Sequence, residues 1–564
     1  MRGWFGDWRA AKPAAAFAAM LGIAAGASLT ARIFPARAQT AARLPAGQAG
    51  AAEPSAAKTA PANGRPSGNP AGAAGERKAA QAFEAAKANP LELRAFLVRM
   101  PKGADLHMHL AGAVYAETWI REGAEDNLCV DPDTNSFFKT EAMTRSLPPQ
   151  PVCGEGKARA SEALEDQHLY DTLVDAFSMR AFAPAAGMSG HDHFFDSFAK
   201  FGAVDHKHIG EWVDEVATRA AAQNEEYLEL MQTPRFPRTM EIAKEITWNA
   251  DLPKLRDEIL AKGFEDDVAE ARKTFAGAEE ERRKLERCGE AEARAACGVK
   301  VRFIYQILRG YPDEQVFAQT LLGFDVASAD PNVVGINMVM PEDGRLSMEN
   351  FEWQMKMLGY LHTVYPRVHI TMHAGELAYG LVPPGGLCCH VRWAVEWGQA
   401  ERIGHGTDVM YEERPHELLR EMAAKHVMVE INLTSNDVIL GVRGKDHPLP
   451  IYRKWGVPVA LSTDDEGVSR IDITNEYARA ATTYNLSYAD LKTMARTSLE
   501  HSFLPGESLW ARRDEFSGAA AACAKDGLGS EKPSAGCAEF LKKNERAAEQ
   551  WELESRFRKF EAGF

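Results

Sequence analysis

Apolar runs of strand length recur along the chain from residue 104 onward, and a longer stretch with helical periodicity follows each of them. Most of these runs end in a polar or reactive side chain. Parallel strands joined by crossover helices produce this alternation. Eight such units predict an α/β fold, a (β/α)8 TIM barrel, whose active site lies where the C-terminal ends of the strands meet. The predicted strands cover residues 104–109, 227–232, 301–308, 333–339, 368–373, 402–405, 427–433 and 457–463.

Two segments of different character precede the first predicted strand. Residues 79–99 place Phe83, Leu91 and Phe96 on one helical face, which predicts helical structure added to the N-terminal side of the barrel. Residues 39–75 consist largely of Ala, Pro, Gly and Ser, so they cannot bury enough apolar surface to offset the entropy of ordering. We therefore predict a flexible tether over 39–75 and a folded domain over 76–564.

The extreme N-terminus has the pattern of a targeting segment. Basic residues near the start are followed by a run of small apolar residues over 14–30, and Ala36-Arg37-Ala38 fits a signal-peptidase site. This pattern predicts a cleaved signal peptide over 1–38 and an exported protein, either periplasmic or extracellular. An uncleaved membrane anchor is the alternative, but the run is short and rich in Ala and Gly. No later stretch is apolar enough to span a membrane.

Composition and charge restrict the class of protein. Apolar residues make up 45% of the chain and charged residues 26%, as in soluble globular proteins. The net charge of -15 argues against nucleic acid as a partner, because phosphate backbones are bound by clustered Lys and Arg.

Eight cysteines agree with export, since disulfides persist outside the reducing cytosol. Cys129 and Cys153 form the pair that we predict most firmly, although sequence cannot establish the connectivity of eight cysteines. Short loops would also be closed by Cys288 with Cys297 and by Cys523 with Cys537. The adjacent Cys388 and Cys389 are compatible with a second metal site, but structural or free thiols are favoured because no complete ligand set surrounds them.

One segment does not belong to a minimal barrel. Residues 124–203 contain the Cys129/Cys153 pair and a Pro-rich stretch at 147–151, which predicts an insertion after the first strand. Its expected role is to cap the substrate site or to bind a partner.

Candidate chemistry is concentrated at the ends of four predicted strands. His107 and His109 end the first strand, and because residues two apart in a strand share a face, both imidazoles can reach one ion. His373 ends another strand and is followed by Glu376, His405 lies between two glycines, and Asp464-Asp465 follows the last strand. In a TIM barrel these four strand ends converge, so the residues are predicted to form one site.

These motifs, taken in order, resemble the adenosine/AMP deaminase family of the amidohydrolase superfamily. The likeness runs from Met100 to Leu504. The Met-Pro-Lys-Gly opening, the signal peptide and the cysteine-bearing insertion resemble the secreted adenosine deaminase growth factor branch more than the compact enzymes. The motifs are Met100-Pro101-Lys102-Gly103-Ala104-Asp105-Leu106-His107-Met108-His109, His373-Ala374-Gly375-Glu376, Arg402-Ile403-Gly404-His405-Gly406, Asn432-Leu433-Thr434-Ser435-Asn436, His447-Pro448-Leu449-Pro450 and Ser462-Thr463-Asp464-Asp465.

The resemblance implies a role for each residue of the site. One zinc ion per chain would be held by four ligands: His107, His109, His373 and Asp464. Bound zinc lowers the pKa of water towards neutrality, which suits hydrolysis.

The resemblance also implies three catalytic residues. Glu376 would deliver a proton to the purine ring nitrogen, and His405 would orient the hydroxide or take its proton. Asp465 would bind the purine or the hydroxide. A homodimer paired through N-terminal helices is implied as well.

Three positions bear on the substrate. Ala111 stands where family members commonly carry an aspartate that contacts ribose, and Met340 stands where they carry a glycine whose amide meets the purine. Glu342 matches a common family carboxylate and is expected to remain a substrate contact. The predicted function is that of an exported, zinc-dependent deaminase of adenosine or deoxyadenosine. The alternatives are an amidohydrolase that deaminates a modified purine or another heterocycle, and an extracellular binding or signalling protein with weak catalysis.

Overall fold

The computed structural model describes residues 70–145 and 149–564. The predicted signal peptide (1–38) and most of the predicted tether lie outside the described residues. The strands are β1 (Gly103–His109), β2 (Cys129–Asp131), β3 (Ser136–Phe138), β4 (Ala158–Arg159), β5 (Glu225–Gln232), β6 (Lys300–Leu308), β7 (Val333–Val339), β8 (His369–Ala374), β9 (Arg402–His405), β10 (Met428–Ile431), β11 (Val459–Leu461), β12 (Trp510–Arg512) and β13 (Ser517–Ala519).

Eight of these strands form one parallel sheet in the order β1-β5-β6-β7-β8-β9-β10-β11. A parallel bridge between Met108 and Asp464 brings the two edges together. The bridge is made by the Asp464 N–H, which donates to the His107 carbonyl at 2.9 Å, and the His109 N–H, which donates to the Asp464 carbonyl at 3.2 Å. The predicted TIM barrel is confirmed, and every predicted strand coincides with an observed one. Three predicted metal ligands therefore lie at the seam of the barrel.

Helices cover the outside of the sheet and connect its strands. They are α1 (Pro70–Ala86), α2 (Pro90–Arg99), α3 (Leu110–Ala113), α4 (Ala116–Glu125), α5 (Gln167–Ala176), α6 (Gly190–Phe201), α7 (Ile209–Ala222), α8 (Pro237–Glu245), α9 (Leu252–Ala261), α10 (Glu265–Leu285), α11 (Asp313–Ala329), α12 (Arg345–Val364), α13 (His390–Glu396), α14 (Pro415–Lys425), α15 (Leu433–Leu440), α16 (Leu449–Lys454), α17 (Glu466–Ser469), α18 (Ile473–Thr483), α19 (Tyr488–Glu500), α20 (Ala535–Lys543) and α21 (Glu545–Ala562).

The N-terminal helical segment differs from its prediction in two ways. It is split between α1 and α2, because Pro90 cannot continue a preceding helix and the Asn89 side chain instead caps α2 by accepting the Leu91 N–H at 2.9 Å. Helix α1 begins at Pro70, so the last residues of the predicted tether over 39–75 are helical. Both helices pack near the C-terminus: the Phe96 ring lies 5.4 Å from Phe83 of α1 and 5.2 Å from Phe560 of α21.

The predicted insertion carries its own small sheet. Strands β3, β2 and β4 pair antiparallel, in that order. The Cys129 and Cys153 sulfurs lie 1.99 Å apart, at bonding distance, and link this sheet to the following loop. Helix α6 closes the segment, where Phe201 stacks on Trp119 of α4 with ring centroids 4.6 Å apart. The insertion thus packs against the helices that follow β1.

The other cysteines also lie in pairs. Sulfur atoms at bonding distance join Cys288 to Cys297, Cys388 to Cys389 and Cys523 to Cys537. The pairing of Cys388 with Cys389 favours the structural interpretation of these residues over a second metal site. Within the described part of the chain, no helix combines the length and the apolar character that a bilayer crossing needs.

Candidate active site

The four predicted metal ligands converge at the C-terminal end of the barrel. The Nε2 atoms of His109 and His373 lie 3.1 Å apart. Asp464 Oδ1 lies 3.3 Å from His109 Nε2 and 3.6 Å from His107 Nε2. Two ligands that share one zinc at bond lengths of about 2.1 Å lie about 3.4 Å from each other in a tetrahedral site. The observed separations therefore match donors to a single ion.

Each of the three histidines is oriented by an oxygen on its outer side. The Nδ1–H of His107 donates to Glu430 at 2.6 Å, that of His109 to Gln306 at 2.8 Å and that of His373 to Asn337 at 2.9 Å. The Asn337 oxygen also accepts the backbone N–H of His373 at 3.1 Å, which determines the orientation of its amide. With the proton on Nδ1, every Nε2 lone pair points into the site, as metal ligation requires.

The charge balance of the cluster fits a bound cation. Burial alone would lower the pKa of His107, but Asp464 and Glu430 outweigh it and raise that pKa to about 10. Burial lowers the pKa of His373, and His107 lowers it further. Positive charge is thus favoured between the two carboxylates, and the buried Nε2 of His107 has no hydrogen-bond partner. Three imidazole nitrogens and one carboxylate form a donor set suited to zinc.

The sequence interpretation missed the outer partners Gln306, Asn337 and Glu430. Asn337 and Glu430 are buried inside strands that are otherwise apolar, at positions where a polar group needs a partner, whereas Gln306 is half-buried in a strand that also carries charged side chains. That contrast with the neighbouring residues was a usable signal. Asp105 was missed as well: its carboxylate accepts the Thr463 N–H at 2.9 Å and the His107 N–H at 3.1 Å, which joins β1 to the segment that carries Asp464.

Glu376 lies on the turn that follows β8, and Glu342 holds this turn. The two oxygens of Glu342 accept the Gly375 N–H at 3.0 Å and the Glu376 N–H at 2.8 Å. His390 Nδ1 lies 2.5 Å from the same carboxylate, which is buried. The expectation that Glu342 contacts substrate stays a prediction; in the structure its oxygens hold the turn that bears Glu376.

The electrostatics of Glu376 suit a proton donor. Burial raises its pKa well above the ordinary value, and the nearby charges of Asp464 and Glu342 raise it further. Its Oε1 lies 3.7 Å from the Nε2 of His405. A raised pKa favours the protonated form of the carboxyl group, which can donate a hydrogen bond or a proton.

Asp464 and Asp465 are adjacent in sequence, but their pKa values are shifted in opposite directions. Burial would raise the pKa of Asp464, but the close approach of His107 Nε2, 3.6 Å from its Oδ1, and the charges of the other histidines lower it strongly. Burial raises the pKa of Asp465, and the charge of Asp464 raises it further. Asp465 Oδ1 is buried without a hydrogen-bond partner. Asp464 is thus the anionic ligand candidate, and the unpartnered oxygen of Asp465 is available to a bound molecule.

Close packing and backbone strain are concentrated at the same strand ends. A Cβ atom on Gly404 would lie 2.5 Å from His107 Cε1, so only glycine allows the His107 ring to occupy its position. Three non-glycine residues at strand ends have left-handed φ angles: Met340 (87°), His405 (68°) and Asp464 (63°). Such conformations are sparsely populated and cluster at functional sites.

Met340 follows strand β7, and Ala111 follows strand β1. The Met340 side chain is turned towards Gly310, whose N–H donates to its sulfur at 3.3 Å. Ala111 lines a cavity of about 80 Å³. The other residues of its wall are mostly aromatic or amide-bearing, and charged carboxylates and ammonium groups are absent from the described lining: Trp119, Phe198, Phe201, Gly202, Val204, His206, Trp212, Gln232, Thr233, Gln306 and Leu308.

Comparison with protein families gives one extended match. The family model for adenosine deaminase matches residues 186–516, more than half of the chain. This stretch contains His373, Asp464 and the three predicted catalytic residues, whereas His107 and His109 lie upstream of it. The barrel seam between β1 and Asp464 is what brings the upstream histidines to the matched residues.

Individual relatives match over shorter stretches. An adenosine deaminase of Clostridium perfringens is 37% identical over 139 residues, which are 24% of this chain and 39% of that enzyme. An aminodeoxyfutalosine deaminase of Streptomyces coelicolor is 37% identical over 113 residues, 20% of this chain and 28% of that enzyme. The matches thus span less than half the length of these relatives. The crystal structure of an adenine deaminase from Arthrobacter aurescens is similar with a TM-score of 0.47 and 17% identity, covering 72% of this chain and 94% of that one.

Proposed function

The chain belongs to the adenosine deaminase family of metal-dependent hydrolases, and from that premise we propose that it is an exported, zinc-dependent deaminase of adenosine or deoxyadenosine. The reaction replaces the purine 6-amino group with oxygen and releases inosine, or deoxyinosine, and ammonia. One observation carries the proposal: the converging Nε2 atoms of three histidines and the Asp464 carboxylate lie beside Glu376, a buried carboxyl group whose pKa is raised well above its ordinary value.

His107, His109, His373 and Asp464 would hold one zinc ion per chain. Zinc in such a site acidifies a bound water and so supplies a hydroxide nucleophile at neutral pH. The histidine ligands keep their lone pairs directed inward because Glu430, Gln306 and Asn337 hold the opposite ring nitrogens.

The remaining residues handle protons and orientation. Glu376 transfers its proton to the purine ring nitrogen, which prepares the adjacent ring carbon for attack. His405 Nε2 lies 3.8 Å from Asp464 Oδ2 and 3.7 Å from Glu376 Oε1, between the ligand and the proton donor, where it orients the nucleophile or takes its proton. Asp465, whose pKa is raised by burial and by the charge of Asp464, offers a hydrogen bond to the purine or to the hydroxide.

The experiment is a zinc and ammonia assay of the purified mature protein. We expect about one zinc per chain and ammonia release from adenosine. Glu376→Gln is expected to lower kcat at least about 100-fold, because general acid catalysis is lost, while zinc stays bound. Glu286→Gln is the matched control. This glutamate is also buried, with a pKa raised to about 7, but it directly follows helix α10 rather than a strand end of the site. Zinc-free and inactive wild-type protein would overturn the proposal.

A second candidate substrate class is supported by the cavity beside Ala111. Its aromatic wall contains no carboxylate that could bind a sugar hydroxyl, and its small volume fits an apolar substituent. The relative that deaminates aminodeoxyfutalosine shows similarity over part of the chain. A panel of adenosine, deoxyadenosine, AMP, adenine and aminodeoxyfutalosine separates the candidates. Turnover of a modified purine but not adenosine would keep the mechanism and change the substrate. Zinc binding without turnover of any compound would favour a binding or signalling protein.

Export and dimerisation are part of the same proposal. Four cysteine pairs at bonding distance support an oxidising compartment. Expression of the full chain, followed by N-terminal sequencing of the exported fraction, is expected to give a start after Ala38. Light scattering of that material tests the homodimer, which the family resemblance implies; a monomeric mass would contradict it.

A further inference from the structure

A chain of buried hydrogen bonds leads from a backbone amide to His405. The Leu449 N–H donates to His447 Nδ1 at 3.1 Å, and His447 Nε2 lies 3.0 Å from Asn436 Oδ1. Asn436 Nδ2 then lies 2.9 Å from His405 Nδ1. All four residues are at most 2% exposed, so water does not compete for these bonds. The chain joins α16, the loop before it, α15 and the end of β9.

The direction of every bond follows from the first. A backbone N–H can only donate, so Nδ1 of His447 carries no proton and the ring holds its proton on Nε2. That proton is donated to the Asn436 oxygen, which leaves the amide NH2 of Asn436 facing His405. Burial lowers the pKa of His447 to about 3, and the charge of Arg479 contributes, so the ring stays neutral. His405 Nδ1 is therefore an acceptor, and its proton lies on Nε2, the nitrogen that faces the site.

We propose that His447 is a positioning residue that, acting through Asn436, holds His405 in the Nε2–H tautomer, so that His405 enters the reaction as a hydrogen-bond donor. This inference rests on the proposed function for the role of His405 in turnover, but its statement about the proton does not. Of the two roles left open for His405, orientation of the nucleophile is the one that this tautomer supports.

The direction of the hydrogen bond at Nδ1 separates His405 from the metal ligands. Distance alone does not, because the ring nitrogens of His107, His373 and His405 and an oxygen of Asp464 lie within 4.8 Å of one another. The outer partners of His107, His109 and His373 are oxygens, which leave Nε2 lone pairs facing inward. The outer partner of His405 is an NH2 group, which leaves an Nε2–H facing inward. A proton on that nitrogen excludes it from the ligand set.

Asn432 gives weaker support to the same tautomer. Its Nδ2 lies 3.4 Å from His405 Nδ1, longer than the 2.9 Å contact of Asn436. Hydrogen bonds weaken as the donor moves beyond the usual range. Removal of the His447 donor leaves the Asn436 amide free to turn over, and its oxygen would then accept a proton from His405 Nδ1. The tautomer would be mixed or inverted, and an Nε2 lone pair would reach the ligand cluster.

Histidine-selective 15N NMR tests the tautomer in both metal-free and zinc-loaded full-length protein, with His405 signals assigned by their loss in His405→Gln. We expect a neutral His405 ring with the proton on Nε2 in the wild type. A proton on Nδ1, or a doubly protonated ring, would overturn the proposal whatever the activity of the protein. This measurement does not depend on which purine is the substrate.

Variants of His447 test the origin of the tautomer. His447→Met removes the donor and is expected to lower kcat about 10- to 100-fold with a smaller change in KM, together with a mixed or inverted His405 tautomer. His447→Gln keeps a donor at the Nε2 position and is expected to restore the tautomer and most of the rate.

His208→Met is the control. It removes an equally buried histidine that contacts Asp126 and Glu211 rather than His405. We expect it to change neither kcat nor the His405 tautomer. A slower His447→Met variant with an unchanged tautomer would show a purely structural role and contradict the proposal. If His447→Met fails to fold, the wild-type spectrum and the His447→Gln variant still test the proposal. Loss of the Nε2–H tautomer of His405 in His447→Gln would also contradict the proposal.

Discussion

Buried charge is used in opposite ways in two regions of this barrel. We call the cluster around Arg402 the floor, and the strand ends that carry the candidate active site the mouth. In the floor, Arg402 lies between two carboxylates, with Glu229 at 2.6 Å and Glu430 at 2.7 Å, and its guanidinium covers the Phe503 ring at 3.8 Å. In the mouth, the Nε2 atoms of His107 and His405 and an oxygen of Asp465 are buried without a hydrogen-bond partner. The floor thus pairs opposite charges with each other within the fold, whereas the mouth leaves polar atoms that have no oppositely charged partner of this kind and are available for a ligand.

Glu430 belongs to both regions. One of its oxygens faces Arg402 and accepts the Thr371 hydroxyl at 2.8 Å, and the other accepts the Nδ1–H of His107 at 2.6 Å. The positive charge of the floor therefore keeps Glu430 ionised, and the ionised carboxylate in turn orients a predicted metal ligand. Stability and site geometry are coupled through this one side chain.

Arg402→Met gives the largest expected effect, because it leaves Glu229 and Glu430 buried without their cation. Breaking a buried ion pair in this way lowers the free energy of unfolding by about 3–5 kcal/mol. Urea unfolding of the purified variant measures it. Arg94→Met is the control, since its pair with Asp472 is about half exposed on the arginine side and is worth about 0–1 kcal/mol. A loss for Arg402→Met as small as that of the control would contradict the assigned role of the floor.

Glu430→Gln tests whether Glu430 couples the floor of the barrel to the metal ligands in its mouth. If the new NH2 faces His107, it forces the imidazole proton onto Nε2, and if it faces Arg402, two donors oppose each other. We expect metal affinity to fall about 10- to 100-fold. Glu229→Gln touches only the floor and is expected to lower stability with unchanged metal affinity. Competition with a zinc-binding dye measures both variants, and equal metal affinity in them would contradict the coupling through Glu430.

His206→Gln tests the uncharged wall of the cavity beside Ala111. Burial, and then the charge of Arg235, lower the pKa of His206 to about 4, below its value in the unfolded chain. The unfolded state therefore binds one more proton between pH 6.5 and pH 4, so the wild type loses stability as the pH falls through this range. The variant is expected to lose about 1–2 kcal/mol less than the wild type between pH 7 and pH 5.

The neighbouring His208 provides a control of opposite sign for that measurement. Burial would lower its pKa, but Glu211, Glu122 and Asp126 raise it above the ordinary value. Its contribution to stability is therefore present at low pH and is lost as the pH rises through the folded-state pKa. A pH dependence for His206→Gln identical to that of the wild type would show that His206 does not stay neutral in the fold.

The sequence predicted the barrel well because two features of the sequence mark its strands. Apolar runs locate β1 and β5 to β11, and the reactive residues at their ends, such as His373 and His405, point to the face of the barrel that carries the site. The helical structure predicted over 79–99 is present, but its division into two helices was not predicted; the stop signal of Asn89-Pro90 outweighs the apolar periodicity on either side. The signal peptide and the start of the tether stay predictions.

The parts of the site that the sequence did not predict depend on contacts between distant segments. Gln306, Asn337 and Glu430 orient ligands that lie between 36 and 323 residues away in the chain. Glu342 matched a family position, but its contact with the turn that bears Glu376 follows only from the folded path of that turn. Hydrogen-bond direction, which separates His405 from the ligands, likewise exists only once the partners are assembled.

Metal content of paired histidine variants tests the central claim most directly. Elemental analysis of the purified wild type, His109→Ala and His405→Gln after zinc loading and gel filtration compares a predicted ligand with a neighbour that carries its proton inward. We expect about one zinc per chain in the wild type and in His405→Gln, and a large loss of zinc in His109→Ala. Retention of zinc in His109→Ala together with its loss in His405→Gln would contradict the assigned ligand set.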